Sequence, residues 1–162
     1  MIKTLPLKSI DFCAIECELQ MSGEHSVAWM CNALAWAIET AVAQPFPTAS
    51  SIIQLGQLVE PVKNVAGFRK CRVMVGWNEK APWTMVPDFI DQLVAATPDY
   101  AVIEGSWGEW FYQYENIHPF VDGNGRSGVI LYNWLRGSLQ EPVWAPDFWR
   151  DERRIAGYGL SK

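Results

Sequence analysis

Proline and glycine cut this chain into helix-length apolar stretches, and that punctuation restricts the fold more than any other feature. The longest stretch, Glu24 to Gln44, is rich in alanine and carries Val27, Met30, Leu34, Ile38 and Val42 at helical spacing. Pro45-Phe46-Pro47 stops it, because proline has no N–H to continue the ladder. Ahead of it, Ser9 to Gln20 predicts a short first helix with Phe12, Ile15, Cys17 and Leu19 as its apolar surface, closed by Ser22-Gly23. Thr48 predicts the cap of a third helix running to about Val59, before Pro61.

The least helical segment follows. Gly67 to Gly76 alternates long and branched residues between glycines and reads as a strand or hairpin arm, with Asn78 to Trp83 as its turn and return. Pro87 suits the first turn of a helix that carries Phe89, Ile90, Leu93 and Val94. Thr97-Pro98-Asp99 is expected to separate it from another helix, Tyr100 to about Asn116. Ser127 to Leu139 predicts a buried helix through Val129, Ile130, Tyr132, Trp134 and Leu135, and Pro142 to Pro146 closes the fold. The charged run Asp151 to Arg154 reads as solvated surface. The expectation is an all-α domain in the main, with one small β excursion, spanning residues 1–162 as a single unit.

Composition narrows the function classes. A formal charge of −5 gives no general attraction for nucleic acid. No apolar run approaches the roughly 18 residues of a membrane span, and no long apolar region follows Met1 to Lys8, so neither a membrane helix nor a secretory signal is expected. Cys13, Cys17, Cys31 and Cys71 lack the paired spacing of a zinc site. Cys13 and Cys17 fall on one helix face as packed, reduced thiols, which points to a reducing compartment, the cytoplasm.

The chemistry concentrates in His118-Pro119-Phe120-Val121-Asp122-Gly123-Asn124-Gly125-Arg126, just before the last apolar helix. A histidine can take a proton near neutral pH. An aspartate can hold a hard cation such as magnesium, or cap the helix that follows. Glycines around an asparagine let backbone N–H groups converge on an anion at a helix N-terminus, and an arginine adds a planar cation for phosphate oxygens.

This order and spacing resemble the signature of the Fic (filamentation induced by cAMP) family, His-x-Phe-x-Asp/Glu-Gly-Asn-Gly-Arg-x-x-Arg. The match runs through Arg126 and then departs, because Val129 stands where the family has its second arginine. Phe111 to Ile117 resembles the aromatic helix end that leads into the family's histidine, and Gly67-Phe68-Arg69 with Val73 to Gly76 resembles the approach to its flap. The likeness extends from about Asp11 to Gly137 and is strongest over 67–137. It implies a Fic-like helical bundle, with a β-hairpin flap over the site.

The resemblance also implies roles. His118 would be the catalytic base, taking the proton of a target hydroxyl as its oxygen attacks a nucleotide α-phosphate. Asp122 would hold Mg2+, and Gly123, Asn124, Gly125 and Arg126 would bind the phosphates of ATP, while Phe120 anchors the loop in the core. The implied reaction is transfer of AMP to a Ser, Thr or Tyr hydroxyl of a target protein. Val129 keeps two alternatives open, a different nucleotide or phosphate-containing donor, and an inactive module that binds a nucleotide or partner. Arg69, Arg72 and Lys80 are the flap-region cations that stand to replace the lost charge; Arg136, two turns along the helix at ~10 Å, is a poor substitute.

Residues 1–22 carry a second, thinner likeness. Ala14-Ile15-Glu16 resembles the core of the family's inhibitory helix, whose glutamate pairs with the second arginine, but Phe12 and Cys17 replace its flanking Ser/Thr and Gly/Asn. Glu16 is therefore either a regulatory remnant or an ordinary exposed helix residue.

Overall fold

The computed structural model describes residues 4–146, so the Asp151 to Arg154 run lies outside the described residues. Six α-helices are present among the described residues: α1 (Leu7–Leu19), α2 (His25–Ala41), α3 (Ala49–Val59), α4 (Val86–Ala101), α5 (Trp107–Ile117) and α6 (Asn124–Arg136). Between α3 and α4 lie β1 (Met74–Val75), β2 (Asn78–Glu79) and a 3-10 turn, Trp83–Met85. The mainly helical class with a small antiparallel hairpin is as expected. No described helix is long and apolar enough to cross a membrane.

The bundle is organised around α6. Its residues from Ser127 to Leu135 are all buried, whereas a surface helix would show a polar face. Helices α2, α3 and α5 pack around it, α1 lies on α2, and α4 lies on α5. Where α5 meets α6, the Tyr114 and Ser127 hydroxyls share a buried 2.7 Å hydrogen bond. Trp134 donates its indole N–H to the carbonyl of Gln44 at 2.9 Å, which ties the middle of the chain to α6.

Local chemistry fixes the start of α3. Thr48 caps α3 as expected: its hydroxyl accepts from the Ser51 N–H at 3.1 Å, and Ser51 Oγ accepts from the Thr48 N–H at 2.7 Å. Such a cap contributes about 1 kcal/mol. Cys13 and Cys17 are buried free thiols on one face of α1.

Four expectations are corrected. The first concerns Thr97-Pro98-Asp99, which does not end a helix; α4 runs through Pro98 to Ala101. Pro98 falls in the last turn, where it forfeits a single backbone bond. Meanwhile the Thr97 hydroxyl donates to Leu93 O and accepts from the Trp110 indole, fastening the turn to α5. Helix α5 consequently begins at Trp107, not Tyr100.

The second correction is to α6, which begins at Asn124, inside the signature, and ends at Arg136 ahead of left-handed Gly137. The third is to the strand, which is two residues and not ten. From Gly67 to Arg72 the chain runs outside the hairpin ladder, held to the signature loop by Arg69 N–H on Pro119 O at 2.9 Å. The last concerns apolar surface: Ile15 and Val42 are exposed, Val42 because α2 has already ended at Ala41.

Candidate active site

Helix α5 delivers His118 and α6 begins six residues later, so the intervening loop must reverse the chain tightly. His118 does this in the left-handed region (φ 52°, ψ 64°), where histidine is tolerated better than bulkier residues. Gly123 makes the second left-handed turn (φ 75°); a Cβ there would meet Val59 Cγ1 at 2.8 Å. Between them Phe120 is driven fully into the core. Its ring lies against Gly56 of α3 so closely that a Cβ at that position would sit 2.1 Å from Phe120 Cζ. Asn124 then locks the loop from within, accepting from Phe120 N–H at 2.8 Å and donating to Phe120 O at 2.9 Å.

Two side chains outside the signature hold this loop from below. The guanidinium of Arg69 donates to four carbonyls: His118 (2.7 Å), Cys71 (2.8 Å), Ala81 (2.5 Å) and Ile117 (3.2 Å). Asn64 donates to Asp122 O at 2.8 Å and to Gly56 O at 3.0 Å. Neither was singled out as a loop brace from sequence. Arg69 was read as a cation for phosphates, and its charge is instead committed to backbone. Arg72 is likewise committed, as a bidentate partner of Glu79 at 2.7 and 2.8 Å on the flap.

Above the loop lies a cavity of about 280 Å3. The hairpin (Val73 to Val75) and Lys80 wall one side, Glu16 and Gln20 of α1 another, and the floor is His118, Val121 to Gly125 and Val129. His118 Nδ1 faces the carbonyl of Glu115 at 3.3 Å. With the proton assigned to Nδ1, Nε2 carries the lone pair. Burial, with Lys80 and Arg69 nearby, pushes the imidazole down to about 4, so it is neutral and competent as a base at pH 7. Lys80 is itself pushed down by burial and pulled back by Glu115.

Intrahelical bonding in α6 starts with Ser127 N–H on Gly123 O, at 2.9 Å. The N–H groups of Asn124, Gly125 and Arg126 therefore precede the first helical bond, and they sit at the positive end of the helix dipole. This terminus opens on the cavity floor through Asn124 and Gly125, which makes it an anion site by geometry.

The other expected residues are distributed unevenly. The Asn124 side chain is spent on the loop, leaving its backbone to face a ligand. Asp122 reaches the cavity but does not cap α6, whose N-cap is Gly123. Its Oδ1 accepts from Gly123 N–H at 2.6 Å and its Oδ2 pairs with Lys63 Nζ at 2.5 Å; Lys63 chiefly holds its carboxyl below the usual range, against burial. Arg126 turns under the loop. It is 2% exposed, donates to Val59 O at 3.2 Å, and lies 3.5 Å from Asp122 and 3.7 Å from Glu60. It is absent from the lining of this cavity and instead lines a second depression together with Lys63, His25 and Asp122.

Glu16 corrects one of its two readings. It is 1% exposed, accepts from Gln20 at 2.5 Å, and lines the cavity together with Val129, so it is no ordinary surface residue. Gln20 was missed; its amide lies over Gly125, where a Cβ would approach it to 2.4 Å. Arg136 stacks on Tyr132 at 5.4 Å and is not part of the cavity lining.

Comparison with known families agrees with the signature: residues 79–135 match the model of the Fic/DOC family, a span from β2 through nearly all of α6. No curated protein matches the chain.

Proposed function

Starting from a chain that belongs to the Fic/DOC family through residues 79–135, we propose that it transfers AMP from ATP to a Ser, Thr or Tyr hydroxyl of a target protein. One observation carries this reading: a neutral imidazole, a carboxylate and the open N-terminus of a buried helix line one cavity. His118 Nε2 takes the hydroxyl proton as the oxygen attacks the α-phosphorus. A new P–O bond forms, the bridging bond to the β-phosphate breaks, and pyrophosphate leaves. The backbone of Asn124 and Gly125 receives the phosphates, where donors fixed before the reaction need no reorganisation as charge develops. The hairpin lies beside the cavity, where an extended target segment can add to its edge.

Magnesium fits this donor set on one condition. Among the described residues no group of three His, Cys, Asp or Glu could cage a metal. Mg2+ commonly uses one or two carboxylates together with substrate phosphates, so Asp122 suffices when a polyphosphate is present. Bound there, the ion would neutralise charge on the phosphate oxygens and orient them. His118, the helix N-terminus and the flap do the rest.

Val129 favours a second reading. It is apolar and lines the cavity where the family resemblance has its outer-phosphate arginine, which supports a donor other than a nucleoside triphosphate. Incubation with Mg2+ and a panel of labelled donors, followed by intact mass measurement, separates the readings. A gain of one AMP on the chain or a target supports the first, and a gain of another group the second. Donor binding with no gain on any target supports an inactive binding module.

A further inference from the structure

Lys63 belongs to no motif, yet its ammonium lies 2.5 Å from the one carboxylate of the signature. Its position is not casual. The next residue, Asn64, is almost fully buried and bonds both the N–H and the carbonyl of Asp122, at 3.4 and 2.8 Å, so the backbone carrying Lys63 is fixed to the backbone carrying Asp122. The side chains themselves remain accessible, Lys63 at 55% and Asp122 at 39%. Lys63 is therefore anchored at its root and free to swing at its tip.

The charges around this point balance. Lys63 and Arg126 supply two positive charges, and Asp122 and Glu60 supply two negative ones. A divalent cation arriving alone must displace the ammonium, leaving Lys63, Arg126 and the metal crowded around one carboxylate. A cation arriving with a polyphosphate brings the anion to which the displaced ammonium can turn. On the cavity floor Val129 offers the phosphates no charge.

We propose that Lys63 is a positioning residue with two alternating partners: it holds Asp122 against metal binding in the free protein, and it pairs with the donor's outer phosphates once the metal takes Asp122. This rests on the nucleotide-transfer reading and deepens it, since it makes metal binding conditional on a polyphosphate donor. It also supplies, from the α3–β1 loop, a cation in place of the one missing at position 129.

The test is a pair of titrations on the full chain and on Lys63→Met, which keeps the aliphatic stem and removes the charge. Mn2+ alone is followed by the electron paramagnetic resonance of the free ion, and inorganic triphosphate with Mg2+ by calorimetry. Lys63→Met is expected to tighten Mn2+ by about fivefold, the loss of one exposed ion pair, and to weaken triphosphate by a similar or larger factor. Lys63→Arg should restore both. A merely structural role moves both affinities in the same direction, so a shared loss overturns the proposal, as do two unchanged affinities. If the unaltered protein binds neither triphosphate nor ATP with Mg2+, the transfer reading and this role fail together. If it binds them with affinities that Lys63→Met leaves untouched, only the role of Lys63 fails.

Discussion

The Arg69 guanidinium donates to the His118 carbonyl at 2.7 Å, so a residue forty-nine positions upstream fixes the backbone of the candidate base. The same group satisfies the carbonyls of Ile117, Cys71 and Ala81, closing the C-terminus of α5 onto the flap. His118 sits in the left-handed region, so the brace holds a backbone conformation that most residues avoid.

Arg69→Ala should therefore be costly twice. Leaving buried carbonyls without a donor costs about 1–3 kcal/mol each where water cannot replace it, so the midpoint of denaturation should fall clearly. Transfer should fall further than stability explains, even at low temperature where the variant is folded. Arg69→Lys, with a single ammonium in place of a planar fork, should rescue little. Denaturant melts and transfer rates on the same preparations check both parts, and full activity in a folded Arg69→Ala protein would detach the brace from catalysis.

The pH dependence has a definite sign. Burial is the main force pushing His118 from 6.5 down to about 4. Between those two values the unfolded chain binds a proton that the folded chain refuses, so stability rises with pH across the window and is lost as pH falls from 6.5 towards 4. His118→Gln should remove this part of the pH dependence. The same depression keeps the base unprotonated, so transfer should show no loss attributable to His118 between pH 6 and 8. His118→Ala should abolish transfer while donor still binds. NMR titration of the ring protons gives the midpoint directly; one close to 6.5 would show that the imidazole is solvated in solution.

Asp122→Ala separates a metal role from a loop role. With Mg2+ present the variant should bind ATP more weakly, whereas without metal it should bind ATP no more weakly than the unaltered protein. Loss of the Asp122 bond to Gly123 N–H and of the Lys63 pair should lower stability by about 1 kcal/mol. Calorimetric titration with and without the metal decides it, and equal losses in both conditions would rule out the ligand role.

Helices announced by local chemistry were legible in the sequence. Thr48 capping α3 and the apolar run of α6 needed no tertiary information. Pro98 misled because its cost depends on where in the helix it falls, and the Thr97 to Trp110 bond that secures the turn is a tertiary fact. The signature residues lie together because they are contiguous. Their supports do not: Arg69, Asn64 and Lys63 reach the loop across long sequence separations, and no local pattern marks any of them as a brace. Gly56 is similar, an unremarkable helix glycine until Phe120 is seen against it. Arg126 shows the converse limit, since a motif gives the residue and not the direction in which its side chain turns.

Position 129 offers the sharpest test of how this cavity holds a donor. Val129 is 1% exposed and shares the cavity with Glu16, also 1% exposed, which reaches it from α1. Val129→Arg brings a cation to the cavity floor, and the cavity of about 280 Å3 gives the longer side chain a direction in which to extend. A triphosphate carries most of its charge beyond the α-phosphate, so the variant should tighten ATP more than AMP and raise AMP transfer. Glu16 then becomes its competitor, because a carboxylate in the same cavity can pair with the new guanidinium and hold it from the phosphates. Adding Glu16→Gly to Val129→Arg should increase transfer beyond the single variant, whereas Glu16→Gly alone should do far less. ATP and AMP affinities and transfer rates for the four proteins, with a melt of each to establish folding, give the answer. If a folded Val129→Arg protein keeps the original ratio of ATP to AMP affinity, residue 129 does not face the outer phosphates, and the correspondence with the family signature ends at Arg126.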